Sequence, residues 1–436
     1  MRSRLTRVAE FAVQIYDFLR AYRTYFGALL IFAASRLVVI LGVNFGTLLA
    51  PATTTRTWDA GPAWYHRLLR WDTGWYASII HEGYRYSDDP SVHSSTVFYP
   101  LYPLISYALK LLLGIDEHLA LLIVANVASV VAVLLMTKIV VEELGDEVAL
   151  LSLSLFCFFP SSLFLSAGYT ESLCLVFILL GFILSTRKKF QLASVSAGLS
   201  LGTRSIGVAM IPVILWQMWD RKHPLRVLPR MALCGVLAAS GLLFYMAYLG
   251  VRFGHPMAFA TGQSTWQSGT FLDRLVSAAT LGPFRSFNWW KGGWFVCFLV
   301  LTVWSFRQLR FPFSLYALAS LMLPYLALGI TDSMNRFVLM CFPAFMCGHL
   351  VQGAPMAHRC VDRHFWSPAS GQYCTVLAMV LGGLNTHFFR IGKLSAPRPI
   401  RLAQRQMTCL YSGVATHTAW ICRRTSLERQ FRSNRR

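Results

Sequence analysis

Apolar residues in this chain gather into long runs separated by two polar stretches. The runs are Gly27–Ala50, Leu119–Val141, Val148–Ala167, Leu173–Ser185, Leu192–Trp219, Met231–Leu249, Trp294–Phe306, Phe313–Ile330, Phe337–Val351 and Tyr373–Phe389. Continuous apolar character predicts buried helices, and the longer runs reach the ~20 residues that cross a bilayer. Several are shorter, as helices are where they break around a cavity inside a membrane protein. The polar stretches, Pro51 to about Phe98 and Val251–Gly293, predict large loops.

Composition agrees with a bilayer setting. Of 436 residues, 55% are hydrophobic and 14% charged, where a soluble protein carries roughly a quarter charged. Such a chain cannot cover itself with polar surface. The pattern excludes a disordered, coiled-coil or disulfide-stapled protein and predicts an all-α polytopic membrane protein with about ten or eleven transmembrane helices. The ten cysteines show no CxxC pairing and are expected to be small apolar fillers, so neither disulfides nor a metal site is predicted. The first apolar run starts late, at Gly27, with no small-residue cleavage site after it, and is expected to be an uncleaved span.

The net charge of +21 marks topology before it marks a partner. Arg20 and Arg23 put the N-terminus inside and Pro51–Phe98 outside. If Tyr99–Gly114 crossed the bilayer, the Arg187-Lys188-Lys189 cluster would fall outside, against the rule. If it lies along the outer surface, that cluster, the Asp220-Arg221-Lys222 turn and the Arg307–Arg310 turn all fall inside. The second arrangement is preferred, although it places the acid-rich turn Lys138–Glu147 inside as well. It divides the chain into a membrane domain, 1–389, with outer loops at about 51–117 and 251–293, and a basic tail, 390–436. The tail carries eleven Lys/Arg against one acid and is expected to be poorly ordered or laid on an anionic membrane face, with no nucleic-acid role.

This topology gathers the chemistry-bearing residues on one side. Trp71-Asp72-Thr73-Gly74-Trp75-Tyr76 puts a carboxylate among aromatics, suited to a general base acting on a sugar hydroxyl. An interfacial aromatic belt with Asp72 capping a helix fits the same residues. Glu171 stands between two apolar runs, where it is either solvated or holds an acceptor or an Arg. Arg204 tops a hairpin formed by the 28 residues Leu192–Trp219 and suits a phosphate, or pairs with Glu171. Gln263 and Trp266, downstream of His255, suit sugar contacts. Arg336 opens an apolar helix, where it either snorkels or holds an anionic headgroup.

Taken in order, these segments resemble a family. WDTGWYASIIHEGY followed by FYPLYPL, then FFPSSLFLSAGYTES, GTRSIG, GHPMAFATGQSTWQ and NRFVLMCFP, is similar to the PIG-V-type mannosyltransferases of glycosylphosphatidylinositol assembly and their bacterial relatives. The resemblance implies a GT-C membrane glycosyltransferase with a large first outer loop. It implies an inverting α-mannosyl transfer from polyprenyl- or dolichyl-phosphate mannose to a lipid-linked or protein acceptor, with no metal or other cofactor. It implies that Asp72 is the base, and it gives outer-side roles to Glu171, Arg204, Gln263, Trp266 and Arg336, with Trp71, Trp75 and Tyr76 on the substrate. A second pair, Trp58-Asp59, makes Asp59 a rival to Asp72.

Two other classes fit the bare pattern. A transporter or flippase of a lipid-linked anion predicts charges in mid-span and repeated halves. A non-catalytic membrane scaffold predicts no penalty for losing Asp72. The expected location is a bacterial inner membrane, or the endoplasmic reticulum membrane if the source is eukaryotic.

Overall fold

The structure, a computed structural model, describes residues 2–49, 64–89, 92–220, 223–263, 289–328 and 333–347. The described residues form helices and 3₁₀ turns without a strand. In order, the helices are α1 Arg2–Leu49, α2 Asp72–Glu82, α3 Leu101–Leu113, α4 Glu117–Leu144, α5 Asp146–Cys157, α6 Glu171–Thr186, α7 Phe190–Thr203 and α8 Met210–Met218. They continue with α9 Pro224–Phe253, α10 Ala258–Thr261, α11 Trp289–Gln308, α12 Phe311–Leu328, α13 Met334–Met340 and α14 Phe342–Met346. Segments within α1, α4 and α9 are long and apolar enough to span a bilayer, and α3, α6 and α12 supply shorter apolar helices. The chain is thus an all-helical integral membrane protein. The expected span Tyr373–Phe389 and the tail lie outside the described residues.

The segment 99–114 illustrates how the local sequence sets the architecture. Its helix α3 has 13 residues, about 20 Å of length, short of the roughly 30 Å hydrocarbon core. Tyr102 is fully buried and donates to the Leu121 carbonyl at 2.8 Å, while Leu104, Leu111, Leu112 and Leu113 are exposed. Gly114, at φ 65, stops the helix in the left-handed conformation that glycine adopts without penalty. Asp116 then caps α4 through the Leu119 amide at 2.9 Å.

The acid-rich turn that the positive-inside rule leaves on the basic side is partly neutralised by ion pairs. Glu142 meets Lys138 at 2.5 Å, Glu143 pairs with Arg310, and Asp146 accepts from the Thr24 hydroxyl at 2.5 Å. The expected hairpin at Arg204 is also present, as α7, a 3₁₀ turn Ser205–Ala209 and α8. Its first leg lies so close to α9 that a Cβ on Gly241 would stand 2.0 Å from the Gly198 carbonyl oxygen and 2.5 Å from the Gly202 nitrogen. Glycine at the crossing lets the two backbones meet, the usual way helices associate where no water drives them together.

One apolar run does not form one helix. Val148–Ala167 splits into α5 and a 3₁₀ turn, Pro160–Leu165. Pro160 cannot donate a backbone hydrogen bond to a continuing helix. The likewise interrupted run Phe337–Val351 gives the short α13 and α14, with Pro343 at the start of the second. These breaks lie at the end of the bundle that carries the site.

Candidate functional site

Four charged side chains from four parts of the chain converge. The first turn of α2 supplies Asp72, the start of α6 Glu171, the tip of the α7–α8 hairpin Arg204, and α13 Arg336. Arg336 Nη1 donates to Asp72 Oδ2 at 2.5 Å, Arg204 Nη1 donates to Glu171 Oε1 at 2.8 Å, and Arg336 Nε stands 3.8 Å from the same Glu171 oxygen. The Arg204 guanidinium also reaches the Thr170 hydroxyl at 3.1 Å.

Burial differs across the group and assigns it a depth. The Glu171 side chain is 0% exposed, Arg204 13%, Arg336 12% and Asp72 23%. Glu171 therefore forms the floor and Asp72 the most accessible member. Two carboxylates and two guanidinium groups balance in charge, which is what allows such a cluster to persist away from water.

Backbone contacts explain how these residues meet. The strap Ala167-Gly168-Tyr169-Thr170 runs beside the start of α2. The Thr73 hydroxyl donates to the Gly168 carbonyl at 3.2 Å, and the Tyr169 hydroxyl donates to the Arg70 carbonyl at 2.9 Å. A side chain at 168 would not fit, since its Cβ would lie 2.8 Å from Thr73 Cγ2 and 3.0 Å from Leu69 Cδ2. On the α2 side, Trp71 has φ 51 and ψ −110, a conformation that L-residues rarely adopt. Strain of this kind next to Asp72 is typical of places where a side chain is held to one orientation.

Aromatic rings wall the cations. The Arg336 guanidinium lies 5.1 Å from the Tyr169 ring centre and 5.4 Å from that of Phe164, and Arg204 lies 5.2 Å from Phe337. Burial, and then the neighbouring Asp72, push the Tyr76 and Tyr169 hydroxyls well above the ordinary tyrosine range, so both are neutral hydrogen-bonding groups.

The other expected site residues divide. Tyr76 is buried beneath α2, edge-on to Phe98 and Tyr102 at 5.2 and 5.1 Å. Trp75 stacks on Phe98 at 5.9 Å and on His93 at 6.5 Å, and Trp71 is 73% exposed. These tryptophans form a rim beside the charged group. Gln263 lies in the described stretch just after α10, whose neighbours are Thr96 and Tyr86. Asp59 and Trp266 lie outside the described residues.

Sequence reading passes over three residues that the structure makes prominent. Phe164 carries no charge and sits in an apolar run, and Tyr169, also uncharged, lies between two runs. Arg36 sits in mid-span on α1, and its signal was the rule that an ionisable residue inside a span has a purpose.

Comparison with known families gives one match. Residues 48–249 match the family described as Mannosyltransferase (PIG-V). The stretch holds Asp72, Glu171 and Arg204, while the resembling motifs extend further, to Pro343, and take in Arg336. No curated protein matches the chain.

Proposed function

We propose that this chain, an integral membrane protein whose residues 48–249 match the family described as Mannosyltransferase (PIG-V), moves mannose from a polyprenyl-phosphate donor to an acceptor hydroxyl at the outer membrane face. The observation that carries this reading is the Asp72–Arg336–Glu171–Arg204 cluster. It offers one accessible carboxylate beside two cations, the set needed to take a proton and to receive a phosphate.

The proposed course is a single inverting displacement giving an α-mannoside. An Asp72 carboxylate oxygen accepts the proton of the acceptor hydroxyl as that oxygen bonds to the sugar's anomeric carbon. The bond from the anomeric carbon to the phosphate oxygen breaks on the opposite face. The polyprenyl phosphate leaves with one more negative charge than the donor carried, and Arg336 or Arg204 neutralises it. An arriving donor phosphate competes with Asp72 for Arg336, so donor binding and release of the base are coupled. Glu171 keeps both guanidinium groups in place throughout. The aromatic rim of Trp71 and Trp75 receives the apolar faces of the sugars, and the exposed leucines of α3 rest among the lipids.

The acceptor is a lipid-linked or protein hydroxyl, and the favoured location is a bacterial inner membrane. No metal or other cofactor takes part in the proposed steps. The reading is tested by supplying membranes that contain the protein with labelled polyprenyl-phosphate mannose or, separately, with a labelled nucleotide-mannose. Label should pass to acceptor from the lipid donor without added nucleotide. Transfer from the nucleotide sugar alone, in membranes depleted of polyprenyl phosphate, would overturn the donor assignment.

A further inference from the structure

Arg36 lies in the middle of the first apolar run, where a lone cation is costly. Each of its partners is neutral. Nε donates to Ser35 Oγ at 3.3 Å, Nη1 to the Ser162 carbonyl at 2.7 Å and Ser166 Oγ at 2.8 Å, and Nη2 to the Cys157 carbonyl at 3.1 Å and Ser162 Oγ at 3.1 Å. An arginine has five N–H groups, and these contacts occupy them all. The group is therefore not waiting for an anion. A lysine, with three donors on one atom, could not span the same acceptors.

What Arg36 holds is the broken part of the run Val148–Ala167. Apart from Ser35 on α1 itself, its acceptors sit at the end of α5 and in the turn Pro160–Leu165 with the Ser166 that follows it, where no regular helix satisfies the carbonyls. The same turn is held from α4, by Asn126 Nδ2 donating to the Ser166 carbonyl at 2.9 Å and by Ser129 donating to the Leu165 carbonyl. From this turn Phe164 projects against the Arg336 guanidinium, and a few residues later Tyr169 does the same and Glu171 binds both arginines.

We propose that Arg36 is a positioning residue for mannosyl transfer: it fixes the turn 160–166 so that Phe164, Tyr169 and Glu171 hold Arg336 where the leaving phosphate needs it. This rests on reading the four-charge cluster as the reacting site. A displacement of that arginine by an ångström is enough to lower turnover by about a hundredfold.

The test compares kcat and donor KM for the full-length wild type, Arg36→Lys, Ser162→Ala/Ser166→Ala, Phe164→Leu and Arg36→Lys/Phe164→Leu. Asp72→Asn reports on the site itself, and the thermal unfolding midpoint is followed for every variant. The expected result is kcat lowered about tenfold or more in Arg36→Lys. The serine double variant should show a smaller loss, both with little change in the unfolding midpoint. The effects of Arg36→Lys and Phe164→Leu should be less than additive, because both act through Arg336. Wild-type kcat in both the Arg36→Lys and the serine variants, with Asp72→Asn inactive, would overturn the role of Arg36 and leave the site reading intact. So would additive losses, or losses matching the fall in folded protein. An active Asp72→Asn would overturn the site reading itself. If Arg36→Lys does not fold, the serine variant alone decides between these outcomes.

Discussion

Arg336 and Asp72 are 264 positions apart in the chain and 2.5 Å apart in the fold, with Arg336 donating to the carboxylate. The pair joins α2 to α13, and it extends to Glu171 and Arg204 at the floor of the site. Its consequence is that a base and a phosphate-binding cation are one unit. Neither can be altered without changing the other.

Arg336→Ala should therefore lower transfer by about 10²-fold or more, because the leaving phosphate loses a charge-assisted donor. Arg336→Lys should recover part of that loss, since a lysine supplies charge without the fork that reaches both carboxylates. Initial rates in membranes at matched protein level check both. Equal rates for all three proteins would remove Arg336 from the reaction.

Arg204→Met leaves the fully buried Glu171 without its nearest partner, and a lost partner of a buried charge costs about 3–5 kcal/mol. The unfolding midpoint of the detergent-solubilised protein should fall clearly. In Glu171→Gln/Arg204→Met the midpoint should recover most of the way while transfer stays low, because the double variant removes the unpaired charge and the function together. A double variant no more stable than Arg204→Met would contradict the pairing.

Gly168→Ala probes the strap. The added carbon would stand 2.8 Å from Thr73 Cγ2, and Thr73 is buried and β-branched, so the first turn of α2 must move and carry Asp72 with it. Transfer is expected to fall about tenfold or more. Gly42→Ala, where nothing lies within 4 Å, should leave transfer unchanged and serves as the control.

Gly241→Ala tests the helix crossing apart from the chemistry. Its Cβ would meet the Gly198 carbonyl and the Gly202 backbone, so α7 and α9 must separate. Reduced yield of folded protein is expected, together with a lower unfolding midpoint. An unchanged midpoint would show that the two helices are not held in this contact.

Much of this arrangement is legible in the sequence, and the parts that are not have physical reasons. Hydropathy locates α1, α4 and α9, because a run near 20 residues is a strong signal. Counting basic residues puts Asp72, Glu171, Arg204 and Arg336 on one side before any contact is known. The pairing of Arg204 with Glu171 is one of the two readings the sequence leaves open; what it cannot supply is the pairing of Arg336 with Asp72, which depends on the glycine at 168 and on helices that break at Pro160 and Cys341. The run Val148–Ala167 reads as a single span because its leucines and phenylalanines keep it apolar on average despite its serines and proline. The break is stabilised by Arg36, a residue from another helix and one charge within an apolar run, which averaging conceals. The aromatic motif around Trp71–Tyr76 was informative about place and less so about roles. Tyr76 packs on Tyr102 with its hydroxyl beside Thr170 and the charged group, Trp75 stacks on Phe98, and Asp72 alone of the motif makes an ion pair there.

The most direct measurement is the initial rate of mannosyl transfer from labelled polyprenyl-phosphate mannose in membranes holding equal amounts of wild type, Asp72→Asn and Asp59→Asn. The proposed mechanism predicts a loss of about 10²–10⁴-fold for Asp72→Asn alone, the range typical for removal of a general base. Wild-type rates in Asp72→Asn, or a loss confined to Asp59→Asn, would contradict it and move the base away from the Arg336 pair.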